Sequence, residues 1–62
     1  MEQLTTEQLT SLNVIEIVRF YFPKFNNAEV AHFIRLYFDT FEPNKEGLNS
    51  KCIQVKEKEL SN

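Results

Sequence analysis

Pro23 stands between two segments that each carry the chemistry of a helix start, and this arrangement points to two helices joined by a short turn. In Leu4-Thr5-Thr6-Glu7-Gln8-Leu9, Thr5 is placed as an N-cap with Gln8 at capping-box spacing. Leu4 and Leu9 stand where a hydrophobic staple closes. Phe25-Asn26-Asn27-Ala28-Glu29-Val30 repeats the pattern, with Asn26 as cap, Glu29 as its reciprocal partner and Phe25 against Val30. Asparagine suits this place because its side-chain oxygen accepts from an orphan amide of the first turn. Proline lacks an amide hydrogen and pushes the residue before it out of helical geometry, so the first helix should end near Tyr21 or Phe22. The expected helices are Thr6–Phe22 and Ala28–Phe41, and so short a connection lays them side by side as an antiparallel hairpin.

The second helix has the cleaner amphipathic pattern. At 100° per residue, Val30, Ile34, Tyr37 and Phe41 form a stripe, with Phe33 and Phe38 on its shoulders. His32, Arg35 and Asp39 fall on the opposite wedge. The first helix is apolar over a wider arc, roughly 160°, through Val14, Ile15, Ile17, Val18, Tyr21 and Phe22; Asn13, Glu16 and Arg19 make its polar edge. Its β-branched and aromatic content makes a strand the competing reading for residues 14–22. Helix is preferred because the capping box leads straight into it without a turn signal.

Beyond Phe41 the pattern fades. Glu42-Pro43-Asn44-Lys45-Glu46-Gly47 reads as a turn that closes a hairpin domain, residues 1–47. Residues 48–62 hold few apolar side chains: Ser50 could cap a short helix carrying Cys52, Ile53, Val55 and Leu60, or Ile53 and Val55 could alternate in a strand. A short, weakly held third helix is expected, with a disordered tail beyond about Glu57.

A chain of 62 residues buries only ~60% of the surface its unfolded form exposes, so a lone core at this size needs outside support. One Cys and one His exclude an internal disulfide and a four-ligand structural zinc site, which leaves a second chain as the available support. The aromatic residues point the same way. All eight lie between Phe20 and Phe41, each can bury roughly 150–250 Å², and one hairpin has a single seam in which to hide them. The expectation is an all-α homodimer whose core or dimer seam comprises Val14, Val18, Tyr21, Phe22, Val30, Phe33, Ile34, Tyr37 and Phe41. Part of the same cluster could instead dock a different protein.

For chemistry, the sequence offers little. His32, Arg35 and Asp39 share a helix face, but no Ser or Cys nucleophile, metal-ligand pair or Gly-rich phosphate loop accompanies them, so neither catalysis nor a cofactor is expected. Arg35–Asp39 at i,i+4 and Glu16–Arg19 at i,i+3 read as surface ion pairs. Cys52 reads as a half-buried apolar contact, since a tuned thiol needs a stronger electropositive setting than Lys51 alone provides. The candidate partner-binding residues are Phe20 and Phe38, at the margins of their apolar faces, with Arg19, His32 and Arg35 as the charged rim.

The net charge of −2 lies in residues 1–41, while residues 42–62 balance four Lys with four Glu. That is a poor footprint for nucleic acid or an anionic membrane. No apolar run approaches the ~18 residues of a membrane span, and the first residues show no signal-peptide pattern, so a cytoplasmic location is the expectation. The expected function is a small non-enzymatic interaction module, a regulator or inhibitor of one larger protein. The alternative is a helix-turn-helix transcriptional regulator presenting Asn26, Asn27, His32 and Arg35 to DNA.

Leu4, Glu7, Gln8, Ser11 and Leu12, followed by Leu36-Tyr37, resemble the small helical-hairpin adaptor that directs phycobilisome degradation in cyanobacteria. The resemblance covers one capping segment and one dipeptide, and it assigns no site residues. In size and helix content the chain is similar to the single-purpose helical proteins of phages, plasmids and stress-response operons, many of which redirect one host protein.

Overall fold

The computed structural model describes residues 2–60, Leu60 by its backbone alone, and among these the chain is all-helical. Its helices are α1 (Thr6–Ser11), α2 (Val14–Tyr21), α3 (Asn27–Phe38) and α4 (Lys45–Leu60).

Both expected capping boxes form. Thr5 Oγ1 accepts from the Gln8 amide at 3.1 Å while Gln8 Oε1 accepts from the Thr5 amide at 2.8 Å. Asn26 and Glu29 exchange the equivalent bonds at 2.8 and 2.9 Å. A further box was not anticipated, and it breaks the expected helix Thr6–Phe22 in two. Asn13 Oδ1 accepts from the Glu16 amide at 2.9 Å and Glu16 Oε1 accepts from the Asn13 amide at 3.0 Å. Leu12, at φ −101° and ψ 149°, is therefore extended between α1 and α2. Glu16 spends its carboxylate on this cap rather than on Arg19. The signal was in the sequence, since Asn13-Val14-Ile15-Glu16 has the same spacing as the other two boxes.

α3 also departs from its expected span. It stops at Phe38 because Asp39 adopts a left-handed conformation, φ 53° and ψ 29°, the usual device for ending a helix. Phe41 consequently lies outside the helix.

The largest difference is α4. Where a weak third element and a frayed tail were expected, the longest helix of the chain runs from Lys45 to Leu60, so the boundary placed at residue 47 falls inside it. Ser50 is interior to it. The capping role belongs to Asn44, whose Oδ1 accepts the Gly47 amide at 3.1 Å. Ser61 and Asn62, the end of the expected tail, lie outside the described residues. The radius of gyration is 10.9 Å, close to the roughly 10.6 Å of a compact chain of 62 residues, so α4 is folded in with the rest.

α2 is the hub. It packs against both α4 and α3, and α1 lies on α4. The core so formed contains Leu4, Leu9, Ile17, Val18, Tyr21, Phe22, Val30, Phe33, Ile34, Leu48 and Cys52. Six of the nine residues expected in a core or seam are here. Val14 is half-buried against the cluster, whereas Tyr37 and Phe41 are exposed, 42% and 56%. They are exposed because α3 ends just past Tyr37 and, among the described residues, α4 reaches the Tyr37 ring with the Lys51 side chain alone. Leu48 and Cys52, one helical turn apart on α4, add to this core where α4 packs on α2.

Candidate functional site

α3 and α4 both lean on α2 and approach each other much less closely, leaving an open groove of about 440 Å³ between them. Pro23 and the Asn26 cap turn the chain so that Phe25 folds back on Phe22, the two rings stacked at 4.8 Å between centroids. Phe33 packs on Phe22 at 5.3 Å and on Tyr37 at 5.0 Å, which carries the aromatic series along α3. These rings, with Leu36, His32 and Ala28 from α3 and Val55 from α4, line the groove. Leu36 is the most exposed large apolar side chain described, at 63%.

Charge is unevenly placed around this surface. Lys51 sits over the Tyr37 ring at 5.0 Å and Lys56 over Phe22 at 4.9 Å, so two α4 lysines lie on aromatic faces, one on α3 and one at the C-cap of α2. Glu29 and Glu59 belong to the groove lining itself, one from each wall. The Arg35 guanidinium lies 4.9 Å over Phe41 and 3.5 Å from Asp39, the expected i,i+4 pair at the exposed end of α3.

Of the five residues assigned to partner binding from sequence, only His32 lines the groove. Phe20 is on α2, 39% exposed, edge-on to Tyr21 at 4.9 Å. Phe38 is half-buried and lies beside Gly47, where it helps fill the corner between α3 and α4. Arg19 and Arg35 are exposed but outside the lining. Sequence reading missed Leu36, Phe25, Val55 and the two glutamates. Leu36 was detectable as an apolar residue on the polar wedge next to His32, about 40° away at helical spacing. Val55 and Glu59 were not, because the tail's conformation was open.

Cys52 is fully buried rather than half-buried, and burial pushes its thiol up to about 12, so at neutral pH it stays protonated and unreactive. The Tyr21 hydroxyl is likewise raised, chiefly by burial, although its bond from the Leu4 amide acts in the opposite direction. Among the described residues no three His, Cys, Asp or Glu side chains converge as metal ligands would, and no helix is long and apolar enough to cross a membrane. Comparison with protein-family models, with curated proteins and with solved structures finds no match to this chain.

Proposed function

We propose that this chain is a non-enzymatic protein–protein interaction module, a small regulator or inhibitor that docks on one larger protein through the groove between α3 and α4. The observation that carries the reading is the aromatic-floored groove flanked by Leu36 and Tyr37, an apolar surface left uncovered on a chain with little core to spare. Aromatic anchors with a polar rim are the anatomy of binding hot spots. Self-association through the same face, the homodimer expected from the aromatic surplus, competes with this reading and predicts a dimer in sedimentation.

The test is affinity capture from the native host with the wild-type chain and Leu36→Asp in parallel. Leu36 is exposed, so the charge leaves the fold intact, as circular dichroism would verify. A stoichiometric protein retained by the wild type and lost by the variant supports the reading. Recovery of DNA, with a mobility shift that weakens steeply with salt, would favour the helix-turn-helix alternative and overturn it.

A further inference from the structure

We infer that a recess at the turn between α2 and α3, beside the groove but of opposite charge, binds a small organic carboxylate with an apolar body. The backbone builds the recess first. The Phe25 amide donates to the Phe22 carbonyl at 3.1 Å, so Phe22-Pro23-Lys24-Phe25 is a β-turn with proline at its second position. Proline fixes its own φ, and the stacked Phe22 and Phe25 rings, 4.8 Å between centroids, brace the turn. Lys24 is thereby held at the tip, while α4 brings the Lys56 ammonium over the Phe22 ring at 4.9 Å. With Pro23 these residues line about 350 Å³, at the small end of ligand pockets.

Charge decides what the recess takes. Its charged side chains are the two lysines, and the rest of the lining is phenylalanine and proline. The α3–α4 groove contains Glu29 and Glu59, whereas among the described residues no carboxylate lines this recess. On a chain of net charge −2, two cations gathered without an acid reverse the overall sign. Among the described residues neither lysine is in an ion pair or a hydrogen bond. Glu59, one turn beyond Lys56, belongs to the groove lining instead. Lys56 is half-buried against a ring, so water and salt screen its charge less than at an open surface.

The same lining argues for a carboxylate over a phosphate. Phosphate sites draw on arginine forks or on converging backbone amides. Here Pro23 has no amide hydrogen and the Phe25 amide is spent inside the turn. A single negative charge set between the lysines, with hydrocarbon laid on Pro23 and Phe25, uses every group the recess offers.

The experiment is a heteronuclear NMR titration of the full chain with phenylpropionate, with phenylpropanamide as its uncharged counterpart and inorganic phosphate as the bare anion. Saturable shifts are expected at the Lys24, Phe25 and Lys56 amides, with a Kd of roughly 1 mM for so small a probe. The amide and phosphate should each bind roughly tenfold more weakly. Lys24→Gln, at an exposed site, and Lys56→Gln, checked for helicity by circular dichroism, should each weaken phenylpropionate by about two- to fivefold. Leu36→Asp, in the groove, should leave the titration as it is. The inference is overturned by an absence of saturable shifts, by equal binding of the amide or of phosphate, or by a double lysine variant that binds as the wild type does. Loss of binding in Leu36→Asp also overturns it, by moving the probe into the groove. Docking of a protein on the groove is judged by the capture experiment, so either result can fail without the other.

Discussion

The Tyr21 hydroxyl donates to Asn49 Oδ1 and so ties α2 to α4, while it accepts the Leu4 amide at 3.1 Å from the segment before α1. One buried oxygen thereby joins parts of the chain that are far apart in sequence. Tyr21→Phe keeps the ring and leaves the Leu4 amide and the Asn49 side chain without this partner. The expected cost is about 1–3 kcal/mol, read as a lower urea midpoint with an unchanged slope. Asn49→Ala combined with Tyr21→Phe should cost less than the sum of the two single changes, because both remove one bond.

Loss of α4 should abolish folding, because it packs on both α2 and α1. Leu48 is fully buried, and Leu48→Ala should cost roughly 2–5 kcal/mol, a large share of the stability of so small a domain. A chain ending at Asn44, which keeps both elements of the expected hairpin, should lose most of its far-UV helical signal, since Phe22 and Val18 would face water.

Gly47 offers a stabilising change. It lies in the first turn of α4 with an ordinary φ, and an added Cβ would sit 3.8 Å from Phe38 Cε1, normal contact distance. Gly47→Ala should therefore gain about 0.4–1 kcal/mol by restricting the unfolded chain, measurable as a higher melting temperature.

Alkaline pH should destabilise the fold through Cys52. Its thiol moves from an ordinary 9.0 to about 12 on folding, so above the unfolded value the unfolded state releases a proton that the native state holds. The unfolded chain then binds fewer protons and stability falls as pH rises between those values. The raised Tyr21 hydroxyl acts in the same direction. Urea midpoints measured from pH 7 to 11 should decline for the wild type, and Cys52→Ala should flatten part of that decline. At pH 8 a thiol reagent should label Cys52 only in denaturant.

Docking and stability should separate by position. Leu36→Ala, at an exposed site, should leave stability within about 0.5 kcal/mol while weakening partner binding. Phe20→Ala, also exposed but on α2 away from the groove lining, should leave both nearly unchanged. If titration calorimetry finds Phe20→Ala the more damaging of the two for binding, the interaction surface lies on α2.

Local chemistry dictates where these helices begin, and it does so from nearest neighbours alone. Thr5 with Gln8, and Asn26 with Glu29, reach their own first-turn amides, so those starts could be read without knowing anything distant, and Asn13 with Glu16 was legible by the same rule. The apolar residues of α2 and of the first part of α3 could likewise be assigned to a core, because helical spacing alone puts Val18, Tyr21, Val30 and Ile34 on buried faces. α4 was a matter of tertiary contact. Its apolar residues are too few to mark a face, and it is held by Leu48 and Cys52 in the core, by Asn49 on the Tyr21 hydroxyl, and by Lys51 and Lys56 over rings. Polar residues resting on aromatic ones leave no hydrophobic period along the chain. The groove has the same origin: it exists because α3 and α4 both pack on α2 and diverge from each other, a spacing set by three helices together and encoded in none of them singly.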